Sequence, residues 1–158
     1  VNTPLFLIGT MQYSDGGLLI RQWFARHYGE EPAVILRFSD QIGDKSVLVS
    51  FNGKSFDLPY TRTRAVATRT DFEADHPHLD LLHVSRRMWK NELPNCKLQT
   101  LETHICGRSR SGDIPGEDIP EAYHEYVRSG RTDRIIPILN HNVLDLLTMA
   151  DLMVRMPQ

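Results

Sequence analysis

Short apolar runs alternate along the chain with longer segments whose apolar residues recur at helical spacing. The first run, at residues 5–8, lies in a segment from 4 to 13 that predicts a strand. Ser14-Asp15-Gly16-Gly17 is typical of a turn, and the apolar pattern resumes from 18 to 28. That second segment reads as the return arm of a hairpin or as a helix, and the pattern leaves both open.

The middle of the chain predicts two helices and two strands. Pro32 suits the first turn of a helix that extends through Ile42 and ends at Gly43-Asp44. The β-branched run at 47–51 predicts a strand buried on both faces, and a helix is expected over 58–69. The apolar run at 79–84 predicts a second central strand.

The remaining third predicts helices joined by one polar loop. A helix is expected over 97–105, followed by a loop over 108–115. Asp118-Ile119-Pro120-Glu121 resembles a capping box before a helix that buries Tyr123, Tyr126 and Val127 and ends at Gly130. Asn140 is expected to cap the last helix, which runs to about Arg155. Strands alternating with helices after an opening hairpin predict an α/β fold with a mixed central sheet flanked by helices.

Composition bounds the class of protein without adding chemistry. The 158 residues fit one domain, taken here as 1–158, with 41% apolar residues, 24% charged residues and a net charge of −2. No apolar run approaches a membrane span, and no signal peptide is visible, so a cytoplasmic protein without membrane contact is expected. Cys96 and Cys106 lack metal-ligand spacing and are expected to be reduced.

The first candidate motif follows the strand at 47–51. Asp57 lies just beyond the end of this strand, where ligands bind in open α/β sheets, and Asn52 lies on the same connection. Gly53 permits a tight turn. The plainer reading is that Asp57 only caps the next helix.

The second candidate motif opens the last helical pattern. His141 and Asp145 are four residues apart and therefore share one helix face. An aspartate can bind hard cations, and a histidine can accept a proton near neutral pH. A surface ion pair is the alternative, although the apolar surroundings predict a buried helix on which both side chains need partners.

Basic residues near these motifs are candidates for phosphate contacts. Arg62 and Arg64 follow Asp57 and could track a nucleic-acid backbone. Arg108 and Arg110 in the polar loop are weaker candidates. The group Arg86, Arg87, Trp89 and Lys90 is better explained as a solvated helix face anchored by the tryptophan, and Asp113-Ile114-Pro115-Gly116 reads as turn geometry.

The ordered set of motifs resembles the DEDD 3′–5′ exonucleases of the ribonuclease H-like superfamily, and most of all the YprB-type predicted exonuclease family. Asn52-x-x-x-Phe56-Asp57 resembles the second exonuclease motif, and His141-x-x-x-Asp145 resembles the third. Further similar segments lie between them: Asp80-Leu81-Leu82-His83, Arg86-Arg87-x-Trp89, Leu98-x-x-Leu101-Glu102 and Gly112-Asp113-Ile114-Pro115-Gly116.

The resemblance implies a ribonuclease H-like fold and hydrolysis of phosphodiester bonds in DNA or RNA, at a single strand or 3′ end, with Mg²⁺ or Mn²⁺. Asp57 and Asp145 would be metal ligands and His141 the base or water-orienting group. Asn52 would contact substrate or support the site. The oligomeric state is not implied.

Two features depart from the family pattern. The spacing of His141 and Asp145 is that of the family's tyrosine form. The first motif, a strand carrying Asp-x-Glu, has no counterpart, so the chain is expected to lack the family's first strand and to be a weak or inactive nuclease. The alternative is a catalytically inactive nucleic-acid-binding or scaffold domain with the same fold.

Overall fold

The computed structural model describes residues 3–43 and 46–157. Its strands are β1 (Leu7–Ser14), β2 (Gly17–Phe24), β3 (Leu48–Ser50) and β4 (His78–Asp80). Its α-helices are α1 (Glu31–Ile42), α2 (Asp57–Ala67), α3 (Leu81–Trp89), α4 (Leu98–His104), α5 (Ile119–Ser129) and α6 (Ile136–Arg155). Short 3-10 helices span Tyr28–Glu30, Gly116–Asp118 and Thr132–Arg134. The predicted α/β class is confirmed. The Asp44 end of the first predicted helix lies outside the described residues.

The opening segment is a hairpin, which decides the alternative left open for residues 18–28. β1 and β2 pair antiparallel from Leu7 with Phe24 to Ser14 with Gly17. Asp15 and Gly16 form the two-residue turn, both with positive φ, at 49° and 81°. This turn matches the twist of the two strands and fixes their register, so the segment after it pairs as a strand.

The two remaining strands form a separate parallel pair. Leu48 pairs with His78 and Ser50 with Asp80, and the crossover between the strands contains α2. Within residues 3–43 and 46–157 the strands thus form two two-stranded sheets, one antiparallel and one parallel, instead of one continuous sheet. The pairing that matters for the site is the parallel one, because it sets Asp80 beside the end of β3.

The strand predicted over residues 79–84 is wrong beyond its second residue. β4 ends at Asp80, whose carboxylate accepts a hydrogen bond from the Leu82 amide at 3.1 Å and so caps α3. Leu81, Ser85 and Trp89 are buried along that helix at intervals of four. An apolar run this short is equally typical of a buried strand and of the first turn of a buried helix. The capping hydrogen bond accepted by Asp80 favours the helix.

Two helix starts also differ from prediction. The last helix begins at Ile136 instead of Asn140, with Pro137 in its first turn, where a missing amide proton costs nothing. α5 does begin after Asp118, but the Asp118 side chain makes no capping hydrogen bond to any described residue. Gly130 ends α5 with a φ of 71°, as its position predicted.

Two apolar clusters hold these elements together. In the larger, Tyr123 stacks on Phe6 with ring centroids 3.9 Å apart and donates a hydrogen bond to the Ala25 carbonyl at 3.0 Å. These contacts join α5 to the open end of the hairpin, where Phe6 precedes β1 and Ala25 follows β2. The smaller cluster joins Trp89 to Leu101 and Leu152. Trp89 is therefore the anchor of its helix, and its ring is not free to stack on a base.

α6 crosses β1 at Gly9, where the packing leaves no room for a side chain. A Cβ atom at Gly9 would lie 2.8 Å from Asn142 Cγ, and the Asn142 amide oxygen accepts a hydrogen bond from Gln22 Nε2 at 3.0 Å. We expect Gly9→Ala to displace the Asn142 amide, break its hydrogen bond with Gln22 and lower the free energy of unfolding by about 1–3 kcal/mol, measured by urea denaturation. Gly17→Ala is the matched control, because no described residue other than its chain neighbours lies within 4 Å of the place that a Cβ atom would take. Equal stability of the two variants would contradict this close approach.

Candidate functional site

The turn between β3 and α2 is held by a buried carboxylate. Asp80 is 4% exposed, and its two oxygens accept hydrogen bonds from the amides of Asn52 at 2.7 Å and Lys54 at 3.3 Å. Asn52 adopts a φ of 63°, a left-handed conformation that asparagine tolerates better than most residues. Asp80 is thus a structural support for the first candidate motif rather than a group facing ligand.

Gly53 lets Asp57 approach the strand end. A Cβ at Gly53 would lie 2.6 Å from Ser50 Cβ and 3.1 Å from Asp57 Oδ2. The glycine is therefore required for space, since its φ is not positive. Asp57 is the first residue of α2, where the helix dipole favours a negative charge.

The Asp57 carboxyl lies in a negative environment. Surrounding protein atoms raise its pKa by desolvation, and the charges of Asp80 and Asp145 raise it further. Asp57 is exposed at the surface, so its carboxylate is open to solvent and to a ligand. The charge of Asp145 acts on it although the two residues come from distant parts of the sequence.

The second candidate motif is oriented as the spacing predicted. His141 Nε2 lies 3.4 Å from Asp145 Oδ2, one helical turn away on α6. The other ring nitrogen, Nδ1, lies 2.9 and 3.0 Å from the two oxygens of Asp113 in the loop before α5. His141 is thus held between two carboxylates, with its side chain 15% exposed.

Arg110 connects this motif to the protein interior. Its side chain is 6% exposed and donates to Glu102 at 2.9 Å, to Asp145 at 2.7 Å and to Asp113 at 3.3 Å. Thr148 of α6 also donates to Glu102. Desolvation works against the charge of Arg110, but its hydrogen bonds to Glu102 and Asp145 outweigh it and raise the pKa of the guanidinium.

These surroundings make the donor set for a cation incomplete. Asp57 offers an exposed carboxylate in a negative environment that a cation would relieve, whereas Asp145 already binds Arg110. In the part of the chain that the structure describes, no group of three histidine, cysteine or acidic side chains is arranged to hold a metal ion. Asp57 and Asp145 therefore fit a divalent ion only as a partial set of ligands.

The arginines predicted to contact phosphate differ in whether they already pair with a carboxylate of the protein. Arg64 binds the buried Glu31 through two hydrogen bonds of 2.6 and 2.7 Å and is a structural residue. Arg62 is exposed and donates to the Ala74 carbonyl at 3.1 Å. Arg110 faces inward, which corrects its interpretation as a loop residue open to substrate, and Arg108 donates to Thr148.

Sequence reasoning missed Glu102 and Asp113. Glu102 had one usable signal, since an acidic residue next to Leu101 on the apolar face of a helix needs a buried partner. Asp113 lies in a segment that resembles the family, but its local pattern indicated only a turn, because the tertiary structure sets the path of this loop.

Comparison with known proteins shows the family to which the chain belongs. A family model described as the RNase_H superfamily matches residues 2–157, and the chain belongs to that superfamily. The chain is similar to the uncharacterized protein YprB of Bacillus subtilis (strain 168), with 30% identity over 154 residues. The match covers 96% of this chain and 37% of YprB, so the chain spans well under half the length of that relative. No solved structure matches. None of the described helices is long and apolar enough to cross a membrane.

Proposed function

We propose that this domain is a nuclease of the 3′–5′ exonuclease kind that hydrolyses phosphodiester bonds of DNA or RNA with Mg²⁺ or Mn²⁺, weakly when this chain acts alone. The observation that carries the proposal is the electrostatic interaction of Asp57 with Asp145. The charge of Asp145 raises the pKa of the Asp57 carboxyl, although the two residues belong to different candidate motifs. Carboxylates supplied by distant segments beside the end of a strand suit the oxygen-rich shell that a hard cation prefers.

Asp57 and Asp145 would hold the metal ion, which supplies an activated water and stabilises the leaving oxygen. His141 presents Nε2 on the side of Asp145, where it can accept a proton from water. Asn52 would contact substrate from the turn that leads to Asp57.

The substrate class is supported by positive charge beside the carboxylates. Desolvation lowers the pKa of His78, and the charge of Asp80 raises it. The positive charges of Lys54 and Arg62 both lower it further, so both side chains lie close to His78. His78 pairs with Leu48 of β3, and its Nε2 lies 2.6 Å from Ser50 Oγ at the end of that strand, just before the turn that leads to Asp57. A phosphate of a single strand or 3′ end would meet these cations on its way to Asp57.

A second candidate function is a nucleic-acid-binding or scaffold domain without catalysis. Arg110 favours it, because the guanidinium at 2.7 Å already neutralises Asp145 without a metal ion. In that case the basic side chains near Asp57 would bind nucleic acid and no bond would be cleaved.

Mn²⁺ titration of the wild type, Asp57→Asn and Asp145→Asn tests the metal assignment. We expect each substitution to weaken Mn²⁺ binding by about tenfold or more, followed by electron paramagnetic resonance. Asp15→Asn, at the exposed hairpin turn, is the control and should bind like the wild type. Equal binding by all four proteins would refute the metal site.

A cleavage assay with an end-labelled single-stranded oligonucleotide then separates the two functions. Mn²⁺-dependent shortening from the 3′ end that disappears in Asp57→Asn and Asp145→Asn supports the nuclease. Oligonucleotide binding that Arg62→Ala weakens, with no cleavage by the wild type, supports the binding domain.

A further inference from the structure

Asp113 contacts His141 more closely than any group expected from the sequence. Its two oxygens lie 2.9 and 3.0 Å from Nδ1, within the range of a charge-assisted hydrogen bond. Both side chains are largely buried, at 13% and 15% exposed. The contact joins a loop to a helix over 28 positions in sequence, so tertiary structure alone creates it.

Arg110 holds Asp113 in this position. Arg110 Nη1 lies 3.3 Å from Asp113 Oδ2, while Nη2 of the same guanidinium binds Glu102 and Asp145. The 3.5 Å contact between Arg110 Nη1 and His141 Nδ1 is not the orienting bond. A guanidinium only donates, and a carboxylate only accepts, so the shorter contact with Asp113 decides which atom carries the proton.

We propose that Asp113 is a positioning residue that fixes His141 with its proton on Nδ1 and thereby leaves Nε2 to exchange a proton beside Asp145. A carboxylate accepts hydrogen bonds, and Nδ1 lies within hydrogen-bond distance of both Asp113 oxygens, so the geometry makes Nδ1 the donor in this pair. The neutral ring then carries its lone pair on Nε2, 3.4 Å from Asp145 Oδ2. Under the proposed function, a water molecule at these two acceptors would give a proton to Nε2 as its oxygen bonds to the substrate phosphorus and the P–O bond to the leaving oxygen breaks, with Asp113 holding Nδ1–H throughout.

The role of His141 in catalysis rests on the proposed function, but its tautomer does not. Two-bond ¹H–¹⁵N correlation spectra of the metal-free protein, at a pH where the ring is neutral, report which nitrogen carries the proton. We expect Nδ1–H in the wild type and a shift toward Nε2–H in Asp113→Ala. Asp113→Asn should restore the Nδ1–H form, because the amide oxygen can still accept from Nδ1. Asp118→Ala, exposed in the same segment, is the control and should match the wild type.

An Nε2–H ring in the wild type, or an unchanged Nδ1–H ring in a folded Asp113→Ala, would overturn the proposal. Where cleavage is measurable, Asp113→Ala should lower kcat by about tenfold or more with little change in KM, since substrate contacts are kept. A tenfold rise in KM with kcat unchanged would also overturn the proposal. If the wild type cleaves nothing, the proposed function fails, while the spectra still decide the role of Asp113.

Discussion

Replacing Arg110 with alanine is expected to lower the free energy of unfolding by about 3–5 kcal/mol at neutral pH. The substitution leaves the carboxylate of Glu102, only 2% exposed, without its cation. It also releases Asp113 and Asp145, which Arg110 binds at 3.3 and 2.7 Å. Since a domain of this size is stable by only about 5–15 kcal/mol, the change is a large share of the total. Urea denaturation followed by circular dichroism measures it.

The pH dependence of this loss identifies Glu102 as its cause. Burial opposes ionisation of Glu102, but hydrogen bonds from Arg110 and Thr148 outweigh it and lower the pKa of the carboxyl. The stabilisation is therefore complete above about pH 4.3, the ordinary glutamate pKa of an unfolded chain, and is lost as pH falls through the lower folded pKa. In Arg110→Ala the unpaired Glu102 can instead be protonated. The difference in free energy of unfolding between the wild type and Arg110→Ala should therefore become smaller as the pH falls from about 7 to about 4.

Two further variants sharpen the test. Arg131→Ala is the matched control, because Arg131 is exposed and pairs only at the surface, so little change is expected. Arg110→Lys keeps the charge but loses the forked geometry that reaches three carboxylates, and it should fall between the wild type and alanine. A loss in Arg110→Ala that stays constant across this pH range would contradict the role of Glu102.

Arg64→Ala is expected to destabilise the protein by about 3 kcal/mol, the second largest effect. Glu31 is 3% exposed and accepts from Arg64 at 2.6 and 2.7 Å and from the Leu5 amide at 2.7 Å. Loss of the arginine leaves the Glu31 carboxylate buried without a cation between the start of the hairpin, α1 and α2. Thermal and urea denaturation measure the change.

Arg62→Ala is the matched control, two positions away on the same helix. Arg62 is exposed, so its loss should leave stability close to the wild type and weaken binding of a single-stranded oligonucleotide. Fluorescence anisotropy at low salt measures that binding. Arg64→Ala with unchanged stability but lost oligonucleotide binding would return Arg64 to the substrate contacts predicted from the sequence.

The network around Arg110 links the stability of the domain to its candidate site. One guanidinium neutralises a buried glutamate in α4 and orients two side chains beside His141. A metal ion at Asp145 would compete with that guanidinium for the same carboxylate. Among the described residues no group of three acidic, histidine or cysteine side chains is arranged around a cation, so if the proposed function holds, we expect weak metal binding at Asp145.

The elements that were predicted well have signals contained within a few residues. Asp15-Gly16 encodes a two-residue hairpin turn, Pro32 and Gly43 bracket α1, and Gly130 ends α5. The errors fall where local pattern is ambiguous. The run at 79–84 has the composition of a strand, yet Asp80 caps a helix within it, and Pro137 starts α6 before Asn140.

For the site, the sequence by itself determined which side chains are candidates, namely Asp57, His141 and Asp145, because the spacing of two residues on one helix and a position after a strand are local properties. Only the tertiary structure decided their partners. Arg64 pairs with Glu31, and Arg110 points inward and pairs with Glu102. Both contacts form because a buried carboxylate is destabilising unless the fold brings a cation beside it. Asp113 reached His141 through the path of a loop, and such contacts depend on packing that no local pattern records.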